Sequence, residues 1–276
     1  MINNLYGNKL TNKIYEEISK ECQNKHFKLA NILVGDDYGS LAYEKRMRKV
    51  ANELSVEVIS LRLLKTVSEE KLIDEISKLN EDLTVDGILL QLPLPKGFNT
   101  VRVIEAIDYQ KDVDGVHPYN LGWLFSGYPK VIPCTPKAVM RLLGEYDIEL
   151  KGKNVVIVGR SNSVGKPLFS LMSKADATVT LCHSKTRDLF QLTQKADIIV
   201  TAIGVANYFD ESYFNENSII IDVGINQGEN GICGDVAYHL VADKVQAITP
   251  VPKGIGSLTM TMLFENLVEI AKSRRR

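Results

Sequence analysis

Apolar and polar positions along the chain switch between the period of a helix and that of a strand. From Ile14 to about Lys25 apolar residues recur at roughly helical spacing, and FKLANILVG then forms a strand-like run ending at Gly35. After the break at Gly35-Asp-Asp, Ser40 stands where an N-cap belongs. Tyr43, Met47, Val50, Ala51 and Leu54 follow at i, i+4, i+7, i+8 and i+11, a single and wholly uncharged helix face. VEVISLRLL alternates like a strand, SEEKLIDEISKLN has a capping-box start and helical periodicity, and VDGILLQLPLP is an apolar strand broken by prolines. This β-α-β-α-β order predicts a largely parallel sheet covered by helices, with a ligand beyond the carboxyl ends of its strands. Tyr43 and Gln91 both follow such ends, so the pattern predicts that they meet.

The second half reads differently. A loop, KDVDGVHPYN, follows a short helical stretch, and Thr135-Pro136 opens a helix in IPCTPKAVMRLLGEY. KGKNVVIVG, ATVTLC, ADIIVTAIG, NSIIIDVG and VQAITPV are short apolar strands, several separated by helix-length intervals, as in a dinucleotide-binding half-sheet. LTMTMLFENLVEIAKSRRR is a final amphipathic helix whose basic tail is most simply a solvated end. There is no internal repeat or low-complexity segment.

Composition narrows the classes. At 276 residues and 45% hydrophobic content the chain is long enough for two domains, and a net charge of -1 offers no field for nucleic acid. Cys22, Cys134, Cys182 and Cys233 lie far apart without a CxxC pair, which argues against a disulfide framework or a zinc site and fits a reduced, cytoplasmic protein. MINNLYGNKL lacks a signal-peptide pattern, and no run of 18 uncharged apolar residues occurs, so neither secretion nor a membrane is expected.

Three stretches carry candidate chemistry. Val155-Val-Ile-Val-Gly159-Arg-Ser-Asn-Ser-Val-Gly165 is a strand, a glycine-bounded loop and a helix start, whose amides and dipole favour a pyrophosphate. As a bare pattern it is weak, and a plain strand-to-helix turn is the competing reading. Thr180-Leu-Cys-His-Ser-Lys-Thr186 ends the next strand with Ser184 and Lys185, with no carboxylate before Asp188. Together with Arg160 this favours the 2′-phosphate of NADP over the 2′-hydroxyl of NAD, unless these residues merely solvate a turn. Lys111-Asp-Val-Asp-Gly holds two carboxylates on a tight loop. Self-capping is the common use of such a loop, but Asp114 also suits an amidine-like N–H/NH2 edge.

VGDDYGSLAY, DGILLQLPLP, KDVDGVHPYN, PCTP, VVIVGRSNSVGKP, TLCHSKT, IDVGIN, GDV and TPVP follow one another in order. Together they resemble the bifunctional methylenetetrahydrofolate dehydrogenase/cyclohydrolase family across nearly the whole chain. The resemblance implies an α/β protein of two domains flanking a cleft, an N-terminal α/β folate domain (1–118 plus 255–276) and a Rossmann-type parallel-sheet NADP domain (119–254). It implies that Tyr43 packs against the pterin, Gln91 lies beside the reacting carbon and Asp114 holds the pterin's amino edge. Gly159, Arg160, Ser161, Ser184 and Ile225 match cofactor positions, with Arg160 and Ser184 receiving the 2′-phosphate of NADP. A homodimer formed through the dinucleotide domain is implied as well.

One departure falls inside the implied site. Four residues after Tyr43 the family's catalytic lysine is replaced by Met47, one turn along the same face. Lys45 and Lys49 project elsewhere, and Arg46 stays protonated and cannot act as a base. Smaller departures are Lys253 and Ser257 in TPVPKGIGSLT, the missing lysine-proline in TAIGVANYF, and Ala138. The sequence therefore predicts oxidation of 5,10-methylenetetrahydrofolate to the 5,10-methenyl form with NADP, and a cyclohydrolase activity that is absent or severely reduced. The alternatives are a fully bifunctional enzyme and a catalytically silent folate- or dinucleotide-binding protein. Met47 also reads simply as core, since a methionine at helical spacing usually packs.

Overall fold

The computed structural model describes residues 4–23, 25–228 and 231–275. In chain order its first half contains α1 (Asn8–Cys22), β1 (Lys28–Val34), α2 (Tyr38–Glu53), β2 (Glu57–Leu63), α3 (Glu69–Glu81), β3 (Gly87–Leu90), α4 (Thr100–Glu105) and α5 (Pro118–Phe125). The second half contains α6 (Cys134–Glu145), β4 (Asn154–Val158), α7 (Gly165–Lys174), β5 (Thr178–Cys182), α8 (Leu189–Gln194), β6 (Ile198–Thr201), β7 (Ile219–Asp222), β8 (Asn226–Gly228), β9 (Gly231–Cys233), α9 (Tyr238–Val241), β10 (Ala247–Ile248) and α10 (Ile255–Arg274). These elements form two compact α/β units.

The three-stranded unit comprises Lys13–Trp123, Pro129–Ile132 and Leu263–Arg276. Its parallel sheet has the order β2-β1-β3, with Asn31 of β1 level with Ser60 on one side and Leu89 on the other. Because side chains alternate across a strand, Ala30, Ile32 and Val34 form one apolar face, packed with Leu72, Ile76, Ile88 and Val103. The opposite face lies under α2, whose Glu44 accepts hydrogen bonds from Ser60 (2.7 Å) and Arg62 (3.2 Å) of β2.

Two local expectations change here. Asp37 rather than Ser40 caps α2, accepting the Ser40 N–H at 2.8 Å, so the helix starts three residues earlier than a Ser40 cap implies. The buried stripe of α2 is Ser40, Glu44, Met47 and Ala51, continued by Leu54, while Tyr43 and Val50 are only half-buried. The face that read as uncharged therefore includes a carboxylate, which the cations and hydroxyl of Arg48, Arg62 and Ser60 make tolerable.

The five-stranded unit comprises Met1–Asn12, Leu124–Tyr128 and Pro133–Met262. All pairings in its sheet, of order β10-β7-β6-β4-β5, are parallel. Val156, Val158, Ile199, Ile220, Phe209 and Phe214 are central to its core. The unit boundaries differ from 1–118 plus 255–276 against 119–254 at both ends of the chain. The initial segment joins the five-stranded unit because Leu5 donates to the Ile248 carbonyl (2.8 Å) and Gly7 to that of Lys253 (2.9 Å). The other boundary passes inside α10. The basic tail is not simply solvated: Arg274 donates to the Val85 carbonyl (3.2 Å), and Arg275 pairs with Asp86 (2.7 Å) and lies over the Phe27 ring. No helix among the described residues is long and apolar enough to cross a membrane.

Candidate active site

In the three-stranded unit, β1 is the central strand, and the chain runs from it to β2 on one side and then crosses to β3 on the other. Open α/β sheets place ligands outside the carboxyl ends at such a divergence. Gln91 follows directly on β3, donates its backbone N–H to the Ile32 carbonyl (2.9 Å) and is 7% exposed. Its Nε2 donates to Oδ1 of Asn31 (2.8 Å), inside β1.

The loop carrying the two carboxylates is laid against β3 like an additional strand. Ile88 donates to the Lys111 carbonyl (2.7 Å), and Ile88 and Asp112 form a parallel bridge. Gly87 makes this approach possible, since a Cβ there would lie 2.2 Å from Val113 Cγ1. Asp114 follows two residues after this bridge, in the turn that Asp112 closes by accepting the Gly115 N–H.

The two carboxylates have separate uses. Asp112 is buried and accepts from the N–H groups of Gly115 (3.0 Å) and His117 (2.8 Å) and from Asn120 Nδ2 (2.9 Å). It is the self-capping member of the pair, and burial pushes its carboxyl above the usual range against those donors. Asp114 is only half-buried. It therefore keeps access to solvent or a ligand.

Met47 is fully buried, one turn beyond the half-buried Tyr43. Lys45, Arg46, Arg48 and Lys49 are exposed. Burial raises the Glu44 carboxyl, but the hydrogen bonds from Ser60 and Arg62 and the Arg62 charge outweigh it, leaving the group below its ordinary range. It is an ion-paired carboxylate, poorly suited to accept a proton near neutral pH.

Lys111 is the buried lysine of this unit. Desolvation lowers its pKa, yet Nζ donates to the carbonyls of Leu79 (2.9 Å), Asn80 (2.6 Å) and Asp82 (2.8 Å), where it caps the end of α3. Its perturbation has a structural cause.

The five-stranded unit carries the dinucleotide features. The chain leaves β4 for the edge strand β5 on one side and then reaches β6 on the other, and Gly159 follows the end of β4. Gly159 has φ +130°, and a Cβ on it would stand 2.2 Å from the Ala202 carbonyl oxygen. At Gly165 a Cβ would stand 1.8 Å from the Gly159 oxygen. Both glycines are thus required for the turn to close onto the start of α7.

Ser161 shapes that turn by accepting the Val164 N–H on its hydroxyl (3.1 Å) and the Lys166 N–H on its carbonyl (3.1 Å). No side chain caps the first helical turn at Val164. Because Val158 and Cys182 are register partners, Arg160 and Ser184 lie two residues past the ends of adjacent strands. Both are exposed, as is Lys185. Ser184 and Lys185 occupy the centre of a turn closed by Thr186 N–H to the His183 carbonyl (2.8 Å). A turn bounded by two glycines without room for a Cβ, a helix start and neighbouring cations fit the diphosphate and 2′-phosphate of NADP. Ile225, beyond β7, is 61% exposed, with its Cδ1 close to Gly256.

Sequence reasoning missed two aspartates that shape the loops beside this turn. Asp222, at the end of β7, accepts from Thr201 Oγ1 (3.1 Å), Gly224 N–H (3.0 Å), Asp235 N–H (3.1 Å) and Val236 N–H (2.9 Å). Asp235 accepts the N–H groups of Ile203 (2.6 Å), Gly204 (3.2 Å) and Val205 (3.0 Å), fixing the segment after β6. Burial pushes Asp222 up to about 6. Their occurrence within IDVGIN and GDV was the available signal.

The comparisons agree with this geometry. A family model described as tetrahydrofolate dehydrogenase/cyclohydrolase, catalytic domain, matches residues 5–114, and its NAD(P)-binding domain counterpart matches residues 133–275. The chain is 46% identical over 269 residues, covering 95% of both chains, to the bifunctional protein FolD of Clostridium beijerinckii. A crystal structure of the bifunctional FolD enzyme, methylenetetrahydrofolate dehydrogenase/cyclohydrolase, from Campylobacter jejuni superposes with a TM-score of 0.95 at 42% identity, covering 99% of this chain and 100% of that one. The Trypanosoma brucei FolD structure, complexed with NADP cofactor and inhibitor, gives a TM-score of 0.93 at 31% identity, covering 98% and 97%. Matched along nearly its full length by both family models, the chain belongs to the tetrahydrofolate dehydrogenase/cyclohydrolase family.

Proposed function

We propose that the protein is an NADP-dependent methylenetetrahydrofolate dehydrogenase that also hydrolyses its methenyl product. The observation carrying this reading is the 46% identity over 95% of both chains to a bifunctional relative, combined with a glycine turn in which neither Gly159 nor Gly165 has room for a Cβ. In this reading Asp114 holds the amino edge of the pterin, Tyr43 packs against its ring and Gln91 lies beside the reacting carbon. Gly159 and Ser161 accommodate the cofactor diphosphate, Arg160 and Ser184 bind the 2′-phosphate, and Ile225 packs against the cofactor. When bound, NADP supplies the hydride acceptor. The protein's part is to hold the two ligands together and exclude water.

A second reading, a dehydrogenase with little hydrolysis, rests on Met47. Its side chain is fully buried and a thioether moves no proton, whereas a positioned acid or base contributes about 10²–10⁴-fold to a hydrolytic step. The bifunctional relatives favour the first reading, which requires that hydrolysis proceed without an amine at position 47. We also propose that the enzyme works as a cytoplasmic homodimer, in line with its four free cysteines and near-zero net charge.

The dehydrogenase is tested with purified protein, methylenetetrahydrofolate and NADP or NAD. NADP is reduced and preferred. Measurable binding of both ligands without reduction would instead identify a silent binding protein.

A further inference from the structure

Asn31 is an amide in the middle of an otherwise apolar strand. It is fully buried at the centre of the sheet, in the run Lys28–Val34, where every residue after Lys28 is buried. Its side chain shares a face with Leu29 and Leu33, opposite to the apolar cluster of Ala30, Ile32 and Val34. Ser60, its register partner on β2, bonds to Glu44 of α2. Asn31 therefore lies on the face covered by the helix that carries Tyr43 and Met47.

One end of the Asn31 amide is used: Oδ1 accepts Gln91 Nε2–H at 2.8 Å. The other end, Nδ2, is buried without a hydrogen-bond partner. A buried amide left half-satisfied lowers stability, and an apolar residue would be better placed there on packing grounds alone. Local rules broken at a cost to stability are characteristic of functional positions.

We propose that Asn31 is a positioning residue for the folate reaction, holding the Gln91 amide in one orientation beside the reacting carbon. The inference rests on the role proposed above for Gln91. A glutamine side chain has three rotatable bonds, and Gln91 stands at a strand end just before the turn at Leu92-Pro93, so nothing in the strand itself selects its rotamer. The bond from β1 does. A group misplaced by about 1 Å can lower a rate on the order of 10²-fold, which is the scale of effect such a tether controls.

The test is a double-mutant cycle on the dehydrogenase reaction with Asn31→Leu, close in shape to asparagine, Gln91→Leu and the double variant, each also followed by thermal denaturation. Asn31→Val serves as a smaller second probe if leucine overpacks the site. The expected result is a melting temperature equal to or above that of the parent, together with kcat lowered about tenfold or more, and a double variant no slower than Gln91→Leu alone. Unimpaired kcat in Asn31→Leu overturns the proposal, as does a double variant whose loss is the product of the single losses. If Gln91→Leu itself reacts at the parental rate, the role of Gln91 fails, and the positioning role of Asn31 fails with it.

Discussion

Met47 and Asp222 show how burial decides what a side chain does. Met47 is enclosed on the inner face of α2 beside Glu44 and Ala51. Truncating it to alanine is expected to cost about 2–5 kcal/mol in urea denaturation, as for other buried methionines, and a loss below about 1 kcal/mol would show that it does not fill core. Asp222 has the opposite problem, a charge kept in a buried site by four donors. Its folded pKa of about 6 lies above its ordinary value of 3.8, so between those values the folded protein binds more protons than the unfolded chain. The favourable contribution of this group is fully present below about pH 4 and is lost as pH rises through about 6. Asp222→Asn removes that titration and turns an amide donor toward a backbone N–H, costing about 1–3 kcal/mol. Denaturation profiles at several pH values should show a shallower decline between pH 4 and 6 in the variant, and parallel profiles would contradict the assignment. Packing of Met47 was legible from its helical spacing, but the Asp222 network was not, because its donors come from Thr201 and from Gly224 to Val236, which only the folded sheet brings together.

Whole elements were easier to read. β1 to β3 and β4 to β7 are short apolar runs between breakers, and the helices between them carry their periodicity openly. Helix starts were harder, as α2 shows: Ser40 has the right chemistry for a cap, but it lies inside the helix and donates both its N–H and its hydroxyl to the carboxylate of Asp37. The tail of α10 looked solvated because its partners, the Val85 carbonyl and Asp86, are about 190 residues away in the chain. The turn from β4 to α7 was a weak pattern that became specific in three dimensions. Gly165→Ala would force a Cβ against the Gly159 carbonyl and is expected to abolish NADP binding in titration calorimetry, and unchanged affinity would refute the closed-turn account. Arg160→Ser tests the neighbouring strand ends separately. It should weaken NADP by tenfold or more while leaving NAD unchanged, since only NADP carries the 2′-phosphate, and equal losses for both would remove Arg160 from that role.

At the scale of the molecule, two parallel α/β units and their order along the chain were legible from alternating strand and helix patterns. The partition of the termini was not, because it depends on a backbone pairing between residues near Leu5 and Ile248. The family resemblance implied a lysine where this chain has Met47, and the expectation of reduced hydrolysis followed from the chemistry of that one side chain. The bifunctional relatives nevertheless favour a retained hydrolysis. The most direct measurement is the disappearance of 5,10-methenyltetrahydrofolate, followed by its near-UV absorbance, when the purified protein is added. A bifunctional enzyme consumes it well above the buffer rate and forms the 10-formyl product. Decay at the buffer rate, in a preparation that still reduces NADP with methylenetetrahydrofolate, would contradict bifunctionality and leave a dehydrogenase alone.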